Sequence, residues 1–156
     1  MHKVKIMITR RKQILRVLNN FLKPMRKPVT NHHKDDSLYK TQKKLHDLMQ
    51  ELCENGCDED EIPDCKGEFG YSKNNPIPIN TILETHSYLS RLRTWDGEKV
   101  RYFKIGSFSS EVSLYQVECY KIKNIKGKDL AVLYLSPFQK KTSEKAPEGF
   151  KLNVYF

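Results

Sequence analysis

Four cysteines, Cys53, Cys57, Cys65 and Cys119, with His46 in the same stretch, are the first residues whose types could do chemistry, since zinc takes thiolate and imidazole ligands. Each such ligand must reach within about 2.3 Å of one ion. His46 and Cys53 read as sharing one helix, and seven steps of 1.5 Å rise put their Cα atoms about 10 Å apart along its axis, too far for one metal. The four thiols alone can meet, because the first three flank a loop, but none are spaced as a zinc knuckle. The simpler expectation is free thiols, with Cys53 and Cys119 filling small apolar positions. Disulfides need an oxidising compartment, for which no secretory signal is read here.

The other candidates fail on geometry. Asp58, Asp60 and Glu61 begin like a calcium loop, but Ile62 and Pro63 stand where the fifth-position oxygen ligand and the sixth-position Gly belong. A solvated acidic loop is expected instead. Gly67 and Gly70 form the Gly-x-x-Gly that clamps RNA backbones in one class of module, yet Glu68 repels phosphate and Pro76 and Pro78 block the helix that must follow. His86 lies beside Ser87 and Ser90, and adjacent residues on a strand face opposite ways, so no nucleophile and base pair forms. His32 and His33, beside Asp35 and Asp36, read as solvated linker residues. No Gly-x-Ser-x-Gly elbow and no Gly-Lys-Ser/Thr phosphate loop is present. No metal, cofactor or catalytic residue is therefore assigned.

Charge is the one feature that stands out. The 156 residues carry a formal net charge of +9. Residues 1–34 hold ten Lys or Arg and no acid, whereas 35–156 hold 18 Lys or Arg against 19 Asp or Glu. Phosphate neutralisation gives sequence-independent affinity for nucleic acid. Arg10, Arg11, Lys12, Arg16, Lys23, Arg26 and Lys27 are dense enough to supply it. An anionic membrane face and an acidic protein suit the same pattern. So does a stripe that docks on the domain while its charges are merely solvated, and the acid-free amphipathic stretch resembles a mitochondrial presequence in all but its lack of Ser.

Positioning elements follow from periodicity. Val4, Ile6 and Ile8 alternate like a short strand, and Ile14, Leu15, Leu18, Phe21 and Leu22 lie on one helix face that ends before Pro24. Residues 24–34 read as a linker, making 1–34 a basic arm and 35–156 one domain. A second helix carries Leu38, Leu45, Leu48, Met49, Leu52 and Cys53 in a stripe, with Gly56 as a left-handed cap. Residues 74–79 run extended through Pro76 and Pro78. Thr81 and Glu84 have capping-box spacing, which taken locally reads as a helix over 82–93; a helical turn at 80–86 feeding a first strand through Tyr88, Leu89 and Leu92 accommodates both signals. Asp96 and Gly97 then turn a hairpin into Val100–Ile105. Further strands are expected over Val112–Ile122, over Leu130–Leu135 as a central strand buried on both faces, and at the C-terminal edge. The fold class is α+β, N-terminal helices packed on a four- to five-strand antiparallel sheet. Ordinary Gly and Pro content excludes collagen-like and low-complexity chains, and no apolar run reaches the roughly 18 residues of a membrane span.

Asn75–Pro78, Tyr88–Leu92 and Pro147–Phe150, within residues 67–152, resemble a group of small bacterial proteins that share an Asn-Pro-Ile-Pro run and a Pro-x-Gly-Phe ending. The resemblance implies a bacterial, cytoplasmic protein and attaches no activity. The expected function is a non-enzymatic binding module whose arm contacts nucleic acid or another anionic surface. The alternatives are a regulatory, immunity-like protein that binds a protein partner through a sheet face bearing Tyr102, Tyr115 and Tyr120, and an enzyme with a pocket near His86, Arg91 and Arg93.

Overall fold

A computed structural model describes residues 36–154. The chain divides into two compact units, residues 1–51 and 52–156. What is described of the first is helix α1 (Asp36–Cys53), whose final residues belong to the second. Its stripe is half-buried at Leu45 and Leu48 and buried at Met49 and Cys53, while Leu38 stays exposed. Gly56 follows, but not as a left-handed cap, because it is absent from the positive-φ glycines. Close approach is what demands glycine there: a Cβ would stand 2.5 Å from the Gln139 Cα.

The second unit runs β1 (Ile77–Pro78), α2 (Ile82–Arg91), β2 (Leu92–Thr94), β3 (Val100–Phe108), β4 (Val117–Asn124), β5 (Asp129–Ser136) and β6 (Phe150–Leu152). β1, β5, β4 and β3 make one sheet in that order, and β2 pairs with β6 in a second. The class is α+β, but the larger sheet is mixed, since β1 lies parallel to β5 while β3, β4 and β5 pair antiparallel. Proline lacks the N–H a ladder needs, so the Pro76 and Pro78 stretch is confined to a two-residue strand at the sheet edge.

The largest correction concerns residues 87–91, expected in a strand and found in α2. Thr81 caps the helix by accepting from the Glu84 N–H, and Thr85, Tyr88 and Leu89, spaced three and four apart, bury one face. The capping signal and helical period outweighed the aromatic and aliphatic run. Asp96 and Gly97 do turn the chain, with Gly97 at φ +91° and its N–H on the Thr94 carbonyl at 2.9 Å. β4 starts at Val117, not Val112, because 109–116 form a loop pinned where the Ser113 and Ser136 hydroxyls meet at 2.9 Å. β5 is interior to the sheet yet not buried on both faces, for Leu130 and Val132 are exposed while Leu133 and Leu135 are fully buried.

Tyr88, Leu89 and Leu92 pack with Ile77, Tyr120, Ile122, Leu133, Leu135 and Phe150 in one core cluster. Each of the three sequence motifs behind the bacterial resemblance contributes to it. Among the described residues no helix is long and apolar enough to cross a membrane.

Candidate nucleic-acid interface

Side chains alternate across a strand, so each strand of the meander offers one residue in two to the core and the other to the opposite face. Tyr102, Ile122 and Ala131 stand in one cross-strand row of the core face, and Tyr120 with Leu133 in the next. The rows that alternate with them face away. Phe103 is paired with Lys121 and Lys121 with Val132; Arg101 is paired with Lys123 and Lys123 with Asp129. Phe103 is 51 % exposed, and Arg101 and Val132 are exposed as well. Among the described residues its ring stacks on no other aromatic.

Phe108, at the far end of the same face, contrasts with it. A Cβ on Gly106 would meet the Phe108 ring at 3.2 Å, so that ring lies over the glycine, and it also meets Tyr134 edge-on with centroids 6.2 Å apart. Phe108 is already engaged, whereas Phe103 has no aromatic ring contact among the described residues.

Asp129 organises the cations. Its carboxylate accepts from Lys123 Nζ at 2.9 Å and Lys121 Nζ at 3.3 Å. The Lys123 hydrogen bond first, and the Lys121 one second, hold its carboxyl below the usual range, so it is ionised at neutral pH. Residues 99–132 carry seven Lys or Arg against three acids, although 35–156 is near neutral, and the acids that balance it lie elsewhere. Part of the acidic loop is answered within this unit: Asp60 pairs with Lys141 at 3.1 Å, and Glu61 pairs with Lys145.

The arm residues Arg10, Arg11, Lys12, Arg16, Lys23, Arg26 and Lys27, together with His32 and His33, lie outside the described residues. The three tyrosines expected on one sheet face are divided. Tyr102 and Tyr120 share the core face with ring centroids 6.3 Å apart, while Tyr115 sits in the 109–116 loop against Phe138 at 5.0 Å. His86 does come near Tyr102, at 5.8 Å between centroids. Arg91 and Arg93 do not converge on it, because they donate to the backbone carbonyls of Asn153 and of Ser90 and Leu92. Further along β4, the buried Glu118 accepts from Tyr120 Oη at 3.2 Å and pairs with Lys104. Burial, then the Glu118 charge, push the Tyr120 phenol up, so it keeps its proton and serves as neither base nor nucleophile.

Cys57 lines a cavity of about 270 Å³ with Tyr115, Phe138 and Gln139. Gln139 spans its wall, accepting from the Cys57 N–H at 2.8 Å and donating to Ser136 Oγ at 3.0 Å. Burial raises the Cys57 thiol pKa, which leaves it protonated and unreactive near neutrality. Cys53 and Cys119 are buried, Cys57 and Cys65 half-buried, and all four are free thiols. Among the described residues no group of three or more His, Cys, Asp or Glu is placed to hold a metal ion.

Arg101, Phe103, Lys121, Lys123 and Asp129 escaped the sequence reading. Their signal was there, as Arg-x-Phe and Lys-x-Lys at strand spacing on two consecutive strands. Compared with protein-family profiles, curated proteins and solved structures, the chain matches none.

Proposed function

We propose that this protein is a non-enzymatic binding module for nucleic acid, held by its basic arm and by the open face of the β3-β4-β5 meander. The observation that carries the reading is the register that sets Arg101, Lys121 and Lys123 around an exposed Phe103. Arm and sheet face have complementary tasks. Ten cations in residues 1–34 give salt-sensitive attraction to phosphate, and the sheet face gives a fixed platform. The resemblance to small bacterial proteins supports a cytoplasmic setting for such a role.

The test replaces Arg10, Arg11, Lys12 and Arg16 by Gln in the full chain and follows oligonucleotide affinity against salt concentration. Binding should weaken, and the slope of log affinity on log salt should flatten by about 3. Salt-insensitive binding, or none at low salt, overturns the reading. A second reading, a protein partner on the sheet, is favoured by the edge position of β3, where Phe103, Ile105 and Phe108 are all exposed. It predicts one stoichiometric protein partner that stays bound when the four arm cations are replaced.

A further inference from the structure

We propose that the ligand of the open sheet face is single-stranded nucleic acid, with one base stacked on Phe103 and phosphates on Arg101, Lys121 and Lys123 in place of the Asp129 carboxylate. The inference rests on the nucleic-acid reading above and names its ligand. The Phe103, Lys121 and Val132 row crosses three strands, a platform about 10 Å wide at the usual strand spacing. Its ends are apolar and its middle is cationic. Arg101 lies two residues from Phe103 on the same strand, and Lys123 lies diagonally across from it, so the ring is bordered by positive charge on its own strand and on the next.

An acidic protein segment would satisfy the cations without needing the ring. Duplex nucleic acid offers phosphates but hides its base faces in the stack. A single strand offers both, negative charge along its backbone and a flat π-face at each unstacked base, which is how aromatic side chains among cations hold it without sequence preference. The engagement of Phe108 with Gly106 and Tyr134 sharpens the assignment, since among the described residues it leaves Phe103 as the phenylalanine of this face without a ring partner.

Asp129 takes the place of a ligand anion. Both of its lysine contacts are charge-assisted hydrogen bonds of the kind a phosphate oxygen accepts equally well. The carboxylate thereby holds the two ammonium groups together on the open face. Strand binding then exchanges one anion for another, and neutralising Asp129 removes the competitor.

The experiment measures binding of the full chain to an oligothymidylate and to a hairpin duplex with the same number of phosphates, in the unaltered protein and in Phe103→Ala, Phe103→Tyr and Asp129→Asn. Phe103→Ala should weaken oligothymidylate binding about tenfold, the loss expected of one stacked base, and leave the hairpin unchanged. Phe103→Tyr should restore most of that loss, and Asp129→Asn should tighten the oligothymidylate. If the unaltered protein binds but Phe103→Ala leaves oligothymidylate affinity as it was, or lowers both probes equally, the stacking site is overturned and the arm reading survives. Weaker binding by a folded Asp129→Asn overturns the anion exchange. Failure of the unaltered protein to bind either probe at low salt overturns both readings together.

Discussion

The two faces of the β3-β4-β5 meander come from the same three strands, residue by alternating residue, and differ in how far their interactions are completed. On the core face the buried acid is paired and the apolar side chains are packed. Tyr120 donates to Glu118, Lys104 pairs with it, and Ile122, Leu133 and Leu135 are fully buried. The opposite face keeps an unstacked phenylalanine, an exposed arginine and two lysines that share one acid. Burial places stability on the first face, and the binding proposed above falls to the second.

The contrast is open to direct attack, most strongly through the core. Leu133→Ala should cost about 3 kcal/mol of unfolding free energy, while its neighbour Val132→Ala costs under about 0.5 kcal/mol, both read from urea midpoints. Comparable losses at the two positions would mean that the faces do not differ as described.

Alkaline pH is a milder probe of the same asymmetry. Burial raises the pKa of the Tyr88 and Tyr120 phenols and of the Cys53 and Cys119 thiols. A group whose folded pKa is raised contributes stability in full below its unfolded pKa and loses it as pH rises toward the folded one. Urea midpoints should therefore hold below about pH 8 and fall steadily through pH 10, the unfolded range of thiol and phenol. A rising midpoint there would show that these groups are not held neutral by the core. The smallest effect is expected on the open face, where Asp129→Asn should leave the urea midpoint within replicate scatter, its ion pairs being solvent-exposed.

Much of the scaffold was readable from residue order, because local rules decided it. The apolar stripe of α1, the Asp96 and Gly97 turn, the extended Asn75–Pro78 run and the interior position of β5 each follow from spacing or from one backbone preference. What escaped of the scaffold had two causes. Tyr88 and Leu89 suit a strand by type, and two local signals competed there, of which the Thr81 cap and the helical spacing prevailed. Val112 and Tyr115 read as strand, but the Ser113 link to Ser136 draws them into a loop. The cationic cluster of the open face was illegible for another reason: summing charge over 35–156 cancels the basic hairpins against acids at other places, and only register shows which cations share a face.

Among the described residues β3 closes the larger sheet on one side, and along most of its length one row of its backbone groups has no strand of this sheet beside it. Its register shifts between Lys104 and Gly106, and Arg101 and Lys104 project from it as exposed charges. Irregular pairing and charge on a terminal strand are what keep one sheet from templating the next. A chain that carries Phe103, Ile105 and Phe108 exposed on such a border is thereby guarded against fibrillar growth. Straightening the shift and neutralising the two cations would turn the same border into a seed for aggregation.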